Sequence, residues 1–477
     1  MKWPTSLERL IAQKILMLEE LDNRIQKFEL VESLVDFIVD LRYEDLPVEA
    51  IEAAQVFIMD TIAVGIAGTT YDATDKALSA AKNWGEGNTR MIGRPGETLA
   101  RPSAAFVNGM QVHALEWDGL HEPSVVIAMC VPISAVMAEI DHRHVGGKSF
   151  ILATVIAIEV AVFFGGNTTA GPRFFRPSIA GGMGATAALA VLRGFKKEQV
   201  IHALGLAHSQ TAGTMQAHWE GSMALPMQIG NAARMAHLSV DMIDAGMTGP
   251  VDFIDGRFGF FKLFESVDGI GALLNNLGKP FKITEMAHKP YPAGRATQAT
   301  LTMIRQLRDE SEFTTSAIKR VRIYAPPLVI FLVGRPPSTE MTPSYARLCL
   351  RFVAPLMLID GDIDPRRYVA DMFSNAEICA LGEKIDILAD GNSDKNALGP
   401  QRMEIDLADG RTLNASCIDP LGSPANPLSK IERENKIRLC FSLGLEHADP
   451  QELIDLCNSL VELEDCKALV DIVSISM

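Results

Sequence analysis

From residue 30 to about residue 279, apolar side chains recur three and four positions apart, the spacing that lines one face of an α-helix. Residues 48–67, 180–192 and 228–245 carry the plainest runs, with Gly165-Gly166, Gly181-Gly182 and Gly249-Pro250 between helices as joints. Few stretches here alternate as strands do, so the pattern predicts an all-helical domain. Past residue 281 the period changes to two, in 319–325, 383–389 and 403–407. Asp409-Gly410, between 403–408 and 411–415, predicts a hairpin turn. Helical text at 295–307 and 344–359 lies between these strands. Residues 422–429 are rich in Gly, Pro and Ser, and 430–477 returns to amphipathic helix, as does the charged N-terminal stretch 1–23. The expected fold is mainly α. A large all-helical domain (1–280 and 430–477) carries a smaller α+β lid domain (281–429) inserted before the C-terminal helices.

A chain of 477 residues exceeds one compact core, which agrees with two domains or three. The apolar run 151–164 contains Glu159 and is too short to span a bilayer, so it reads as a buried core helix, and no membrane association is expected. With 44 basic against 59 acidic residues and no Lys/Arg-rich run, a nucleic-acid partner is not expected either. Cys130, Cys349, Cys379, Cys417, Cys440, Cys457 and Cys466 are scattered, and none forms a C-x-x-C pair. They suggest reduced thiols in a cytoplasmic protein, without a zinc or iron–sulfur site.

Residues 108–124 hold two histidines, His113 and His121, and three carboxylates, Glu116, Asp118 and Glu122. His113, Glu116 and Trp117 stand at i, i+3 and i+4, so a helix continuing to Gly119 would present them on one face. A carboxylate beside an imidazole can orient and tune it for proton transfer, although a solvated helix end gives the same spacing. Other candidates are the stretch from His208 to His218 and the apparent helix start at Gln228–Arg234, whose free N–H groups could hold a carboxylate. The junction stretch from His288 to Arg295 offers Lys289, Tyr291 and Arg295 to an anion. Asp141-His142-Arg143-His144 lacks further ligand spacing and reads as a solvated loop.

These pieces, in this order, resemble the MmgE/PrpD family, which includes 2-methylcitrate dehydratase, cis-aconitate decarboxylase and iminodisuccinate epimerase. The matching text includes LVDF from Leu34, DTIAVGIAG from Asp60, AAFVNG from Ala104 and HALEWD from His113. Further on come PSIAGGMGA from Pro177, ALGLA from Ala203, IGNAA from Ile229, GMTGP from Gly246, KPYPA from Lys289 and LIDG from Leu358. The resemblance covers about residues 30 to 470. It implies a homodimer without a cofactor, a site in the cleft between domains and a lyase acting on a small organic acid. It also implies that Asp118 orients His121 as acid or base and that Lys289 contacts a substrate carboxylate, with His113, Glu116, Arg176, Gln228, Tyr291 and Arg295 around the substrate.

The chain departs from the family pattern at several of these places. Gly119 stands for the second aspartate of the Asp-Asp pair, and Arg176 for the histidine of Phe-His-Pro. Leu225 and Gln228 replace a lysine and a histidine, and Phe352 stands near an expected tyrosine. Losing a charge-assisted contact in a partly dry cleft costs on the order of 1.5–3 kcal/mol. A substrate with fewer carboxylates than a tricarboxylate is the expectation. An isomerase or ring-forming enzyme on the same scaffold, or a catalytically silent ligand-binding homologue, are the alternatives.

Overall fold

The computed structural model describes residues 29–474 apart from 167, 169, 170, 266 and 268, so the helix expected over 1–23 lies outside the described residues. The chain is mainly α-helical, with one small mixed sheet. The long helices of the first part are Val48–Gly68, Arg101–His113, Cys130–Ile140, Gly147–Gly165, Arg176–Leu192, Lys197–Gln210 and Ala224–Asp244. Pro102 and Pro177 sit in the first turns of two of them, where a missing N–H costs nothing.

Gly181 and Gly182, expected as a joint, lie inside the helix Arg176–Leu192. Their lack of a side chain serves packing: a Cβ on Gly182 would come within 2.4 Å of the Met235 methyl, and one on Gly181 within 2.9 Å of Val131. The helix expected to begin at Gln228 begins instead at Ala224, which leaves Gln228–Arg234 no free N–H groups for an anion. That helix crosses Arg101–His113 so closely that a Cβ on Gly109 would lie 2.8 Å from the Gly230 Cα. Val48–Gly68 and Gly147–Gly165 are long and apolar enough to cross a membrane by length and composition, yet 72% and 83% of their apolar windows are buried against the rest of the protein.

The sheet runs in the order Ile385–Ala389, Ile318–Ala325, Gln401–Leu407, Thr412–Cys417. The first pair is parallel and the others antiparallel. Gly410 makes the predicted hairpin at φ +90°. Along Gln401–Leu407 alternate residues are buried, as a strand with one covered face requires. The helix Gln298–Glu310 packs against Gln401–Leu407 and Thr412–Cys417, and Leu350–Asp360 packs against that helix.

Buried apolar side chains form two clusters. One gathers residues between Val31 and Ala287 with Leu348 and the C-terminal helices Lys430–Gly444, Pro450–Asn458 and Lys467–Ser474. The other gathers residues between Tyr291 and Cys417. The C-terminal return is tied by Lys436 to Asp60 at 2.7 Å, and its first helix is capped by Ser429 and Glu432 in a reciprocal box.

Candidate active site

The helix Arg101–His113 ends six residues before Gly119, so the expected continuous face does not form. Glu116 takes a left-handed conformation at φ +54°, uncommon for a residue with a Cβ, and turns the chain back on itself. His113 and Glu116 still meet, but Trp117 points away and donates from Nε1 to the Pro290 carbonyl. Leu120 and His121 then pair antiparallel with Ala287 and Met286. This short ladder places Lys289, two residues beyond Ala287, against the reversed segment.

Four ionisable side chains meet there, all buried. Asp118 accepts from His113 Nδ1 at 2.9 Å, and Glu116 Oε1 lies 3.3 Å from His113 Nε2 as a close ion pair. Lys289 Nζ reaches Glu116 Oε2 at 3.1 Å and Asp118 Oδ1 at 3.5 Å. Burial alone would push His113 and Lys289 toward neutrality and raise the carboxyls. Mutual attraction wins: the two carboxylates hold the His113 imidazolium to about 10 and raise Lys289 above its ordinary value. Both carboxyls fall below the usual range, Glu116 through Lys289 and His113, Asp118 through His113 and then Lys289. The cluster is two cations and two anions, with mobile protons on Lys289 and His113.

Glu116 and Lys289 open on a cavity of about 80 Å³ between the two apolar clusters. Arg176, Arg295 and His218 line it with them, and Phe174, Phe175, Leu332 and Val333 supply apolar wall. Arg176 donates to Glu265 at 2.7 Å and to Asn396 at 3.0 Å; Arg295 donates to Glu122 at 2.7 Å and to the His288 carbonyl at 3.2 Å. Each lining cation therefore has a carboxylate beside it.

The other sequence candidates go elsewhere. His121 is not oriented by Asp118; its Nδ1 pairs with Ser124 Oγ at 2.8 Å and its Nε2 with Glu285 at 3.0 Å. It faces a separate hollow of about 400 Å³ that also holds Glu159, Lys282 and Asp394. Tyr291 lines a third hollow with Trp117 and Arg305. Gln228 lies outside the cavity lining, with its Oε1 accepting from the Thr214 N–H at 2.5 Å and its buried Nε2 without a hydrogen-bond partner among the described residues. Leu225 is packed in the first core, and Phe352 in the second against Tyr368 and Phe373. His142 and His144 pair with Thr89 and Asp465, and no group of potential metal ligands exists among the described residues. His218, which the sequence offered as a candidate at the end of the stretch from His208, is the histidine brought to the cavity wall. Its side-chain type was visible in the sequence, but its placement depends on a contact with Arg335, 117 residues away.

A mainly helical protein with a buried acid–base cluster opening on a cavity between two cores is the class that fold and site define. The MmgE/PrpD N-terminal domain is matched over residues 32–271 and the MmgE/PrpD C-terminal domain over 291–460. The chain belongs to the MmgE/PrpD family. It is 26% identical to the cis-aconitate decarboxylase of Homo sapiens over 464 residues, which cover 92% of this chain and 93% of that one. The Mus musculus cis-aconitate decarboxylase is also 26% identical, over 92% of both chains. The cis-aconitate decarboxylase of Aspergillus terreus is 23% identical over 91% of this chain and 94% of its own. Together these matches make the chain a lyase of the dehydratase or decarboxylase kind.

Proposed function

We propose that the cavity at Glu116 and Lys289 is the active site, and that it exchanges a proton at a carbon next to a carboxylate or carbonyl of a small organic acid. The observation that carries this is the pairing of a buried ammonium and a buried carboxylate on one cavity wall, backed by a second protonated group, His113. In a decarboxylation, the C–C bond to the departing CO₂ breaks and its electron pair stays on the adjacent carbon. Lys289 Nζ–H delivers the proton that quenches it. The amine left behind is reprotonated from His113 through the carboxylates between them, Asp118 and Glu116, and the cluster then regains from solvent the one proton that each decarboxylation consumes. Dehydration would use the pair in the other sense: the Glu116 carboxylate takes the proton from carbon, and Lys289 Nζ–H protonates the departing hydroxyl, which leaves as water. No step requires a cofactor. Epimerisation at such a carbon would use the same proton transfer. His121 takes no part.

Charge balance supports a lightly charged substrate. The cations that line the cavity, Arg176, Arg295 and Lys289, are matched by Glu265, Glu122 and Glu116, so a tricarboxylate would find no lining cation without a carboxylate beside it. The apolar wall favours a mono- or dicarboxylate with a hydrocarbon part. Seven unpaired cysteines support a reducing compartment, the cytoplasm, and the family resemblance supports a homodimer. The test is turnover of mono-, di- and tricarboxylic unsaturated and hydroxy acids, followed by NMR and CO₂ release. Turnover of a mono- or dicarboxylate faster than any tricarboxylate is expected. Failure to convert any of them would favour the ligand-binding alternative.

A further inference from the structure

His218 sits on the short helix Gln216–Glu220, and what fixes it comes from the other core. Arg335 donates from Nη2 to His218 Nδ1 at 3.2 Å. An arginine has only donors, so Nδ1 must offer a lone pair and the ring proton must be on Nε2. Thr342 donates to the Gly221 carbonyl at 2.6 Å. Gly221 itself is left-handed at φ +64°, and a Cβ there would come within 2.5 Å of Tyr345. These contacts pin the short helix against residues 335–345. Among the described residues, His218 Nε2 has no hydrogen-bond partner, while its side chain lines the cavity beside Glu116 and Lys289. Burial among apolar neighbours and the adjacent Arg335 guanidinium hold this imidazole neutral at ordinary pH, with a pKa near 3.

Resting on the reading of this cavity as the active site, we propose that His218 is a further catalytic residue, a neutral hydrogen-bond donor to the substrate oxygen that takes up negative charge during the reaction. When a proton or CO₂ leaves carbon, the electron pair delocalises onto the conjugated carboxyl or carbonyl oxygen. A fixed N–H aimed at that oxygen stabilises it more than the ground state. A neutral imidazole does this without surrendering its proton, so the proton exchanged with carbon remains that of Lys289. The assignment gives the site its missing electrophilic group, since the lining cations are already paired.

Two measurements test it. In nitrogen-15 NMR of the full chain at pH 7, His218 should show a protonated Nε2 and a bare Nδ1. Adding acrylate or succinate as probes should shift the Nε2–H signal downfield; this reads the donor role whether or not either acid is turned over. A proton on Nδ1, or a probe that perturbs Lys289 and leaves His218 unmoved, overturns the proposal. In turnover, His218→Leu should lower kcat by about 10²–10³, the range for loss of one such donor, with KM changed less than fivefold. His218→Gln, which keeps an N–H, should recover part of the loss. A His218→Leu protein within threefold of the parent kcat, beside an inactive Glu116→Gln, would sink His218 as a catalytic residue while leaving the active-site reading intact. A parent that binds the probes at His218 but converts no acid would sink that reading instead.

Discussion

Lys289 is the residue on which the buried charges turn. Its removal leaves Glu116 and Asp118 with only His113 between them, and breaking a buried ion pair by deleting one partner costs about 3–5 kcal/mol. Lys289→Met should therefore lower the melting temperature sharply as well as abolish turnover. Adding Glu116→Gln should restore part of the stability and none of the activity; calorimetry of the single and double variants checks this. His121, held by Ser124 and Glu285 outside the cavity, gives the opposite expectation. His121→Asn should keep kcat within about threefold, and a hundredfold loss would return it to the mechanism. Sequence spacing brought His113, Glu116 and Asp118 under suspicion. It could not separate His113 from His121 as the partner of Asp118, because that choice depends on the left-handed turn at Glu116.

Among the elements, helix crossings carry consequences of their own. Gly230 lies where its helix meets Arg101–His113, and a Cβ there would come within 2.5 Å of the Phe106 carbonyl. Gly230→Val should destabilise by about 1–3 kcal/mol, the usual cost of overpacking, readable as a shift in the denaturant midpoint without a change in slope. His237, on the same helix, is buried with Nε2 on the Ala135 carbonyl, and burial lowers it to about 4. Unfolded, it titrates near about 6.5. Between those values the unfolded chain takes up a proton that the folded chain refuses, so stability falls as pH drops through that window, by at most about 1.4 kcal/mol per pH unit from this group. His237→Gln should flatten the acid side of a melting-temperature profile; an unchanged slope would contradict the assignment. Helices and strands were legible because their periods differ, and Asp409-Gly410 announced its turn. Gly181-Gly182 misled, since glycine for a joint and glycine for close helix packing look alike in one dimension.

At the scale of the whole molecule, the cavity exists because a segment from each core is carried to one place. Glu116 arrives on a reversed helix exit, Lys289 on a short strand pair, and His218 on a helix pinned by Arg335. The family resemblance singled out Asp118 and Lys289 for separate roles, and the fold sets Lys289 Nζ 3.5 Å from Asp118. It also put Tyr291 and Gln228 around the substrate and Phe352 near an expected tyrosine, and the packing sends all three side chains into other surroundings. Paired charge around the cavity should appear as selectivity: kcat/KM for a dicarboxylate should exceed that for a tricarboxylate of the same skeleton by at least tenfold. Light scattering at micromolar concentration should give twice the chain mass if the proposed homodimer forms. The central claim is that proton exchange at carbon happens between Glu116 and Lys289. Its most direct measurement is deuterium uptake from D₂O into a converted acid, compared between the parent protein and a folded Glu116→Gln variant. Label at the carbon next to the carboxylate in the parent, with at least a hundredfold slower incorporation in Glu116→Gln, is the predicted result. Equal incorporation by both proteins would place the chemistry elsewhere.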